Sequence, residues 1–303
     1  MHLQTEMQAE LDNQLPAESD HRVREAIAAQ LAPVFSNIAH DIDLWFYLES
    51  TDQTAKSHHN GELEKSEAEF EFYLPIDNYR HVALANLRDN EIVAVEDTAA
   101  SMSSHLSVAG QTDTIGSQRT ALYAAWLPIQ IEDTIGHKQK EVEMSMVNTA
   151  VALVVDTTGC TLHDLKVVLC GTAVGMSLYG GEYMFDKTKV VKADEVSVAA
   201  PGLSPHRMPV ETAADSVVKQ VCYTMVSFPS REETSSWQVK IYATLADGKI
   251  TENILTPAQP LKPSDLVVIK TKITGEGQVD VVSDREVGAT FTLNWNEGGS
   301  YDL

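Results

Sequence analysis

Short segments in which apolar side chains recur at every second position dominate this chain of 303 residues. The clearest runs from Trp237 to Leu245, where Val239, Ile241 and Ala243 complete the period. Successive side chains of a β-strand point to opposite faces, so this period predicts a strand with one buried and one solvated face. Asp247-Gly248 follows directly, and this dipeptide predicts a tight hairpin. Further strand-like segments are 44–48, 68–74, 79–87, 121–131, 141–155, 165–170, 218–228, 250–255, 266–273, 279–282 and 289–295.

The spacing of these segments predicts an all-β protein of two tandem antiparallel β-sandwiches, because no regular alternation with helices is present. The predicted first sandwich covers residues 41–138 and the second covers residues 139–303. Their junction is expected in the polar segment before Glu141, with the irregular segment 184–215 as the alternative. Residues 1–40 form an N-terminal segment with one short helix from Asp20 to Ile38, where apolar residues recur with a helical period. Residues 1–19 are polar and are predicted to be loose.

The charge of the chain excludes several classes of partner. Acidic residues number 44 and basic residues 22, so the formal net charge is −22. A surface this negative repels phosphate backbones and anionic lipid headgroups, which argues against nucleic-acid binding and electrostatic membrane docking. No run of 18 apolar residues predicts a membrane-spanning helix. The first residues lack the basic and apolar regions of a signal peptide, which predicts either a cytosolic protein or a chain trimmed of its leader.

No pattern of residues predicts catalysis, a cofactor or a metal. The three cysteines cannot form a closed disulfide framework, and Cys160 with His163 is the only close Cys/His pair. Glu67, Glu69 and Glu71 lie on one face of a predicted strand, and a straight strand cannot wrap around a calcium ion. A solvated outer face is therefore the preferred interpretation of these glutamates, and the chain is not predicted to be an enzyme.

Two groups of residues are candidates for contacts with partners. Trp45 and Tyr47 alternate with Leu44 and Phe46, so together with Trp126 they are predicted to form an exposed aromatic interface. The last predicted strand is a candidate for exchange between subunits, through Ala289, Phe291, Leu293 and Trp295. The N-terminal segment 1–38 is a second candidate for this exchange. The alternative for both segments is that they complete their own sheets.

One stretch goes beyond a generic β protein. Residues 42–48 read IDLWFYL, and after a polar insert residues 70–75 and 78–87 read FEFYLP and NYRHVALANL. This arrangement resembles the first domain of the FimB-type fimbrial anchor proteins of the fimbrillin superfamily, which are components of type V pili. Residues 141–156 (EVEMSMVNTAVALVVD) are similar to the strand that opens the second domain in that family.

The resemblance implies two transthyretin-like sandwiches in a non-catalytic component of a fimbrium (pilus), an anchor or a minor subunit that supports cell adhesion. It also implies fimbrial subunits as partners, joined by strand exchange, a host or microbial surface ligand, and an outer-membrane lipoprotein with a signal and a lipid anchor, although the chain shows no lipobox cysteine. The alternative function is a surface carbohydrate-binding β-sandwich protein that uses exposed aromatic residues. A β-sandwich hydrolase is a third hypothesis, which would require two facing carboxylates about 5–10 Å apart.

Overall fold

The computed structural model describes residues 2–60, 63, 67–88, 90–96, 101–108, 112–132, 138–198, 220–283 and 286–294. Two helices open the chain, α1 (His2–Gln14) and α2 (His21–Leu31), with a turn of 3-10 helix at Glu18–Asp20 between them. The prediction of a helix in this region is confirmed, whereas the prediction of a loose segment at residues 1–19 is wrong. Met7, Leu11 and Leu15 recur at four-residue spacing and are buried, which explains the additional helix.

The first sandwich consists of two sheets. Its larger sheet, sheet A, has the order β2-β1-β3-β7-β8, and the smaller sheet, sheet B, has the order β12-β11-β5-β4. The strands of these two sheets are β1 (Ile42–Leu48), β2 (Thr54–Asn60), β3 (Asp77–Ala85), β4 (Val93–Glu96), β5 (His105–Val108), β7 (Tyr123–Ile131), β8 (Ser145–Met146), β11 (Gly175–Ser177) and β12 (Tyr183–Met184).

The second sandwich also consists of two sheets. Sheet C has the order β20-β17-β16-β10-β13-β6, and sheet D has the order β14-β15-β9-β18-β19. Their strands are β6 (Thr114–Ile115), β9 (Thr149–Asp156), β10 (Leu162–Cys170), β13 (Val190–Lys192), β14 (Asp194–Val196), β15 (Gln220–Ser227), β16 (Gln238–Leu245), β17 (Ile250–Pro257), β18 (Leu266–Ile273), β19 (Val279–Val281) and β20 (Val287–Asn294).

Sheet D is buried on both faces. On one face Val151, Leu153 and Val155 of β9 pack against sheet C. On the other face Ala152 and Val154 pack against α1 and α2. This double cover explains why β9 is continuously apolar, as the sequence predicted for a strand buried on both faces.

The all-β sandwich architecture is confirmed, with two differences in detail. The predicted hairpin at Asp247-Gly248 joins β16 to β17, and Gly248 adopts a φ of 83°, a conformation that glycine reaches without strain. The ladders are not all antiparallel, however, because β18 runs parallel to β9 and β13 runs parallel to β6. The predicted strands at 68–74 and 141–144 are also absent, since these residues join no ladder among the described strands.

Strands cross the predicted boundary between residues 138 and 139. β11 and β12 lie after that boundary, yet β11 pairs with β5 in the first sandwich. β6 lies before it and pairs with β13 in the second sandwich. A buried polar cluster lies at the same junction, where Asn148 Nδ2 donates hydrogen bonds to Gln118 Oε1 (3.2 Å) and to the Thr120 carbonyl oxygen (2.8 Å). The two sandwiches are therefore linked by shared strands and by buried hydrogen bonds.

Candidate assembly surfaces

The predicted exposed aromatic interface is wrong at two of its three residues. Trp45 and Tyr47 are 7% and 0% exposed, and both pack in the core between sheets A and B. Burial raises the pKa of Tyr47 to about 12. The alternation in β1 was interpreted correctly as a strand, but both faces of sheet A are covered. Phe72 of the extended segment before β3 packs on the opposite face, with its ring centroid 4.8 Å from that of Phe46.

Trp126 is partly buried and holds a defined position. Its Nε1 donates a hydrogen bond of 2.7 Å to the carbonyl oxygen of Leu178. The indole ring lies against Gly181, which has a φ of 79° and where a Cβ atom would come within 3.0 Å of the ring. The indole therefore packs against the loop between β11 and β12, and this contact gives the residue a structural role.

The strand β20 at the edge of sheet C lies where the sequence predicted a strand-exchange element. It pairs with β17 along its whole length, from Val287 opposite Pro257 to Asn294 opposite Ile250. The eight residues of β20 include no charged residue and no proline, and these are the usual means by which an edge strand is protected from pairing. No further strand pairs with β20 among the described residues. Trp295, the fourth residue of the predicted element, lies outside the described residues.

The core-facing side of β20 has little covering it. Asn253 and Leu255 of β17 are 2% and 0% exposed, whereas their partners Phe291 and Ala289 on β20 are exposed, with Phe291 at 36%. Residues directly opposite each other on paired strands share a face of the sheet. The same face is therefore buried at β17 and open to solvent one strand further out.

The turn between β18 and β19 explains where this cover ends. Thr251 Oγ1 and Asn253 Nδ2 both donate hydrogen bonds to the Gly277 carbonyl oxygen, at 3.0 and 2.9 Å. Asn253 Oδ1 accepts a bond of 2.8 Å from the Val279 amide. Because these bonds place the turn over β17, and because β19 is only three residues long, sheet D ends before it covers β20.

The other residues considered for chemistry are structural. The ring of His81 stacks on Phe46 with centroids 4.4 Å apart, and its Nδ1 lies 3.0 Å from the Trp45 carbonyl oxygen. Burial lowers the pKa of His81, as expected for the packed histidine that the sequence predicted. Cys160, Cys170 and Cys222 are all free thiols. Within the described part of the chain, no group of three or more His, Cys, Asp or Glu side chains could hold a metal ion.

A buried ion pair that the sequence did not reveal attaches the helices to sheet D. Asp20 is 0% exposed, and its Oδ2 accepts a bond of 2.6 Å from Lys270 Nζ on β18. Its other oxygen, Oδ1, accepts a bond of 2.9 Å from Gln220 Nε2 on β15. These residues are 200 or more positions apart, so no local pattern could have paired them.

Comparison with known proteins decides the family. A family model described as fimbrillin-A associated anchor proteins Mfa1 and Mfa2 matches residues 26–297. This chain belongs to that family. No curated protein matches it.

Solved structures share the fold of this family member at low sequence identity. A candidate adhesin from Bacteroides thetaiotaomicron has a TM-score of 0.53 at 11% identity, over 80% of this chain and 88% of the other. A candidate polysaccharide-binding protein from the same species has a TM-score of 0.51 at 10% identity, with the same coverage. The fimbrial anchor protein Mfa2 from Porphyromonas gingivalis has a TM-score of 0.49 at 9% identity, over 84% and 90% of the chains.

Membership in this family makes the chain a fimbrial component, and the family consists of structural proteins rather than enzymes. It also indicates the cell surface or a fimbrium as the location and other fimbrial subunits as partners. Among the described residues, neither helix has the length and apolar character needed to cross a membrane.

Proposed function

We propose that this chain is an anchor or minor subunit of a fimbrium and that it joins a neighbouring subunit by β-strand pairing at β20. The observation that carries the proposal is the difference in cover between two paired strands. Leu255 is fully buried on β17, whereas Ala289, directly opposite it on β20, is exposed. An incoming strand would form main-chain hydrogen bonds with the outer edge of β20, and its side chains would cover the open face.

The outward lean of β20 also fits the reverse exchange, in which β20 leaves sheet C and completes a sheet of the partner. In both directions the contact uses Phe291, whose large apolar side chain on the core-facing side is 36% exposed. Such a contact requires no titrating residue and no cofactor. Attachment to the outer membrane through a signal-directed lipid anchor belongs to the same proposal, since the family is one of anchor proteins.

The alternative of a surface carbohydrate-binding protein has lost two of its candidate residues. Trp45 and Tyr47 are buried, so their rings cannot stack on a sugar. Trp126 is partly buried and its indole N–H is bonded to Leu178. A host or microbial surface ligand for the assembled fimbrium remains part of the proposal, without an assigned site on this chain.

The strand-pairing proposal is tested by two substitutions on the same strand. Phe291→Asp places a charge on the core-facing side of β20, whereas Thr290→Asp places the same charge one residue away on the opposite face. Each tagged variant is produced in cells that assemble these fimbriae, and the amount recovered with purified fimbriae is measured by quantitative immunoblot. We expect Phe291→Asp to reduce recovery at least tenfold and Thr290→Asp to reduce it less than twofold. Equal recovery of Phe291→Asp and wild type would refute pairing through this side of β20.

A further inference from the structure

The outer face of sheet C carries three lysines around one valine. Val168 on β10 lies opposite Lys192 of β13 on one side and Lys240 of β16 on the other. Lys166 is two residues before Val168, so it occupies the diagonal position relative to both other lysines. Diagonal neighbours on adjacent strands are roughly 7–8 Å apart. Lys166, Lys192 and Lys240 are called the lysine face below.

Most of the positive charge of this face is unmatched. Lys240 Nζ lies 3.8 Å from Glu252 on the neighbouring strand. Lys166 and Lys192 are exposed, and neither forms an ion pair with any residue that the structure describes. Asp164 lies at the end of the same face, where its Oδ1 accepts a bond from the Leu165 amide. A cationic surface of this kind stands out in a chain with a net charge of −22.

The first sandwich carries a surface of opposite charge and similar spacing. Glu67, Glu69 and Glu71 are exposed at alternate positions of an extended segment, called the acidic segment below. Between them Phe70 packs against His58 on sheet A, with ring centroids 5.0 Å apart, and Phe72 packs against the same histidine at 5.8 Å. Because alternate residues of an extended chain are about 6.6–6.8 Å apart, the carboxylates repeat at nearly the spacing of the lysines.

The acidic segment is held firmly enough to present its charges. The two phenylalanine side chains point towards sheet A, which forces the intervening glutamates towards solvent. No ion pair engages these glutamates within the described residues. The sequence interpreted the three glutamates as a solvated outer face, and the structure adds that they form a regular row of carboxylates.

We propose that the acidic segment of one copy of this chain docks on the lysine face of a second copy. The two surfaces lie on different sandwiches, so the contact is heterologous and joins copies from first sandwich to second sandwich in a row. At physiological ionic strength charges farther apart than about 8 Å are largely screened, so the matched faces interact despite the net negative charge of each copy. This inference is independent of strand pairing at β20.

Zero-length cross-linking of carboxylates to lysines tests the contact directly. Equal amounts of ordinary and ¹⁵N-labelled chain are mixed at about 0.15 M salt, treated with a carbodiimide and digested for mass spectrometry. We expect cross-links from residues 67–71 to Lys166, Lys192 or Lys240 in mixed-isotope pairs, which can arise only between two copies. Their yield should fall at least fivefold at 1 M salt, because screening shortens the range of the attraction.

Charge reversal supplies the decisive variants. Lys166→Glu with Lys192→Glu reverses the lysine face, and Glu69→Lys with Glu71→Lys reverses the acidic segment. Association of each variant is measured by sedimentation, a readout that does not depend on the reactive groups. We expect either variant alone to lose self-association, and the two mixed together to regain it, since each then meets a complementary surface. Lys262→Glu with Lys272→Glu is the matched control, because both lysines are exposed, lie outside the lysine face and change the net charge equally.

Two results would overturn the proposal. The first is a set of cross-links between copies that avoids the acidic segment or the lysine face. The second is failure of the mixed variants to regain association while both remain folded by circular dichroism. Heparin is added as a polyanion probe, and binding that requires Lys166 and Lys192 while the acidic segment has no effect on self-association would reassign the face to anionic polymers.

Discussion

Removal of the Asp20 carboxylate should detach the helices from sheet D at their only buried ion pair among the described residues. The Asp20→Ala substitution leaves Lys270 Nζ without its partner at 2.6 Å and Gln220 Nε2 without its partner at 2.9 Å. Breaking a buried pair costs about 3–5 kcal/mol. The Lys270 side chain is 21% exposed and can regain some hydration, so we expect a loss near the lower limit, about 3 kcal/mol.

Urea unfolding followed by tryptophan fluorescence measures this loss. With a slope of about 3 kcal/mol per molar urea, the midpoint should fall by about 1 M while the slope stays unchanged. The matched control is Glu25→Ala, which removes an exposed pair with His21 on the same helix. That pair is open to solvent, so its removal should change the free energy of unfolding by less than about 1 kcal/mol.

A double-mutant cycle separates the ion pair from the general effect of truncation. Lys270→Met keeps much of the aliphatic stem, and its combination with Asp20→Ala should cost less than the sum of the two single changes. A coupling energy below about 0.5 kcal/mol would refute the reasoning, because the two side chains would then contribute independently. Equal losses for Asp20→Ala and Glu25→Ala would refute it as well.

Three further predictions concern single positions in the two sandwiches. Trp45→Ala should destabilise the protein by about 3–5 kcal/mol in urea unfolding, because a buried indole is lost, and a loss below about 1 kcal/mol would contradict its place in the core. Burial lowers the pKa of His81, so the unfolded state binds its proton more readily and stability should fall as pH drops below about 6.5. His81→Gln should reduce the difference in unfolding free energy between pH 7.5 and pH 5.5, and an unchanged difference would assign the pH dependence to other groups. Gly248→Ala should cost about 1 kcal/mol because its φ is 83°, whereas a neutral result in thermal unfolding would show that the hairpin relaxes.

The sequence by itself determined which segments form strands where local pattern and burial agree. Trp237–Leu245 alternates strictly, and β16 has the matching alternation of partly buried and fully buried residues. The Asp247-Gly248 turn was predictable because its conformation depends on two adjacent residues. The continuous apolar run in β9 likewise revealed a strand with cover on both sides.

Local pattern was insufficient where a segment alternates but does not pair. Residues 68–74 have the period of a strand, yet they lie on the face of sheet A as an extended segment outside any ladder of the described strands. Alternation reports which side chains are buried, and it is the same for an extended segment packed through side chains and for one joined by main-chain hydrogen bonds. The helix α1 was missed for a related reason, since three apolar residues in thirteen are a weak signal until sheet D is there to bury them.

Only the tertiary structure decided which residues are open to a partner. Trp45 and Tyr47 alternate with Leu44 and Phe46, but cover on both faces of sheet A buries all four. Exposure at β20 arises because the turn at Gly277 ends the opposing sheet one strand early, and the lysine face arises because strands distant in sequence pair side by side. The period of a strand is set by its own backbone, whereas its cover depends on segments many residues away, and that information is carried by packing rather than by local sequence.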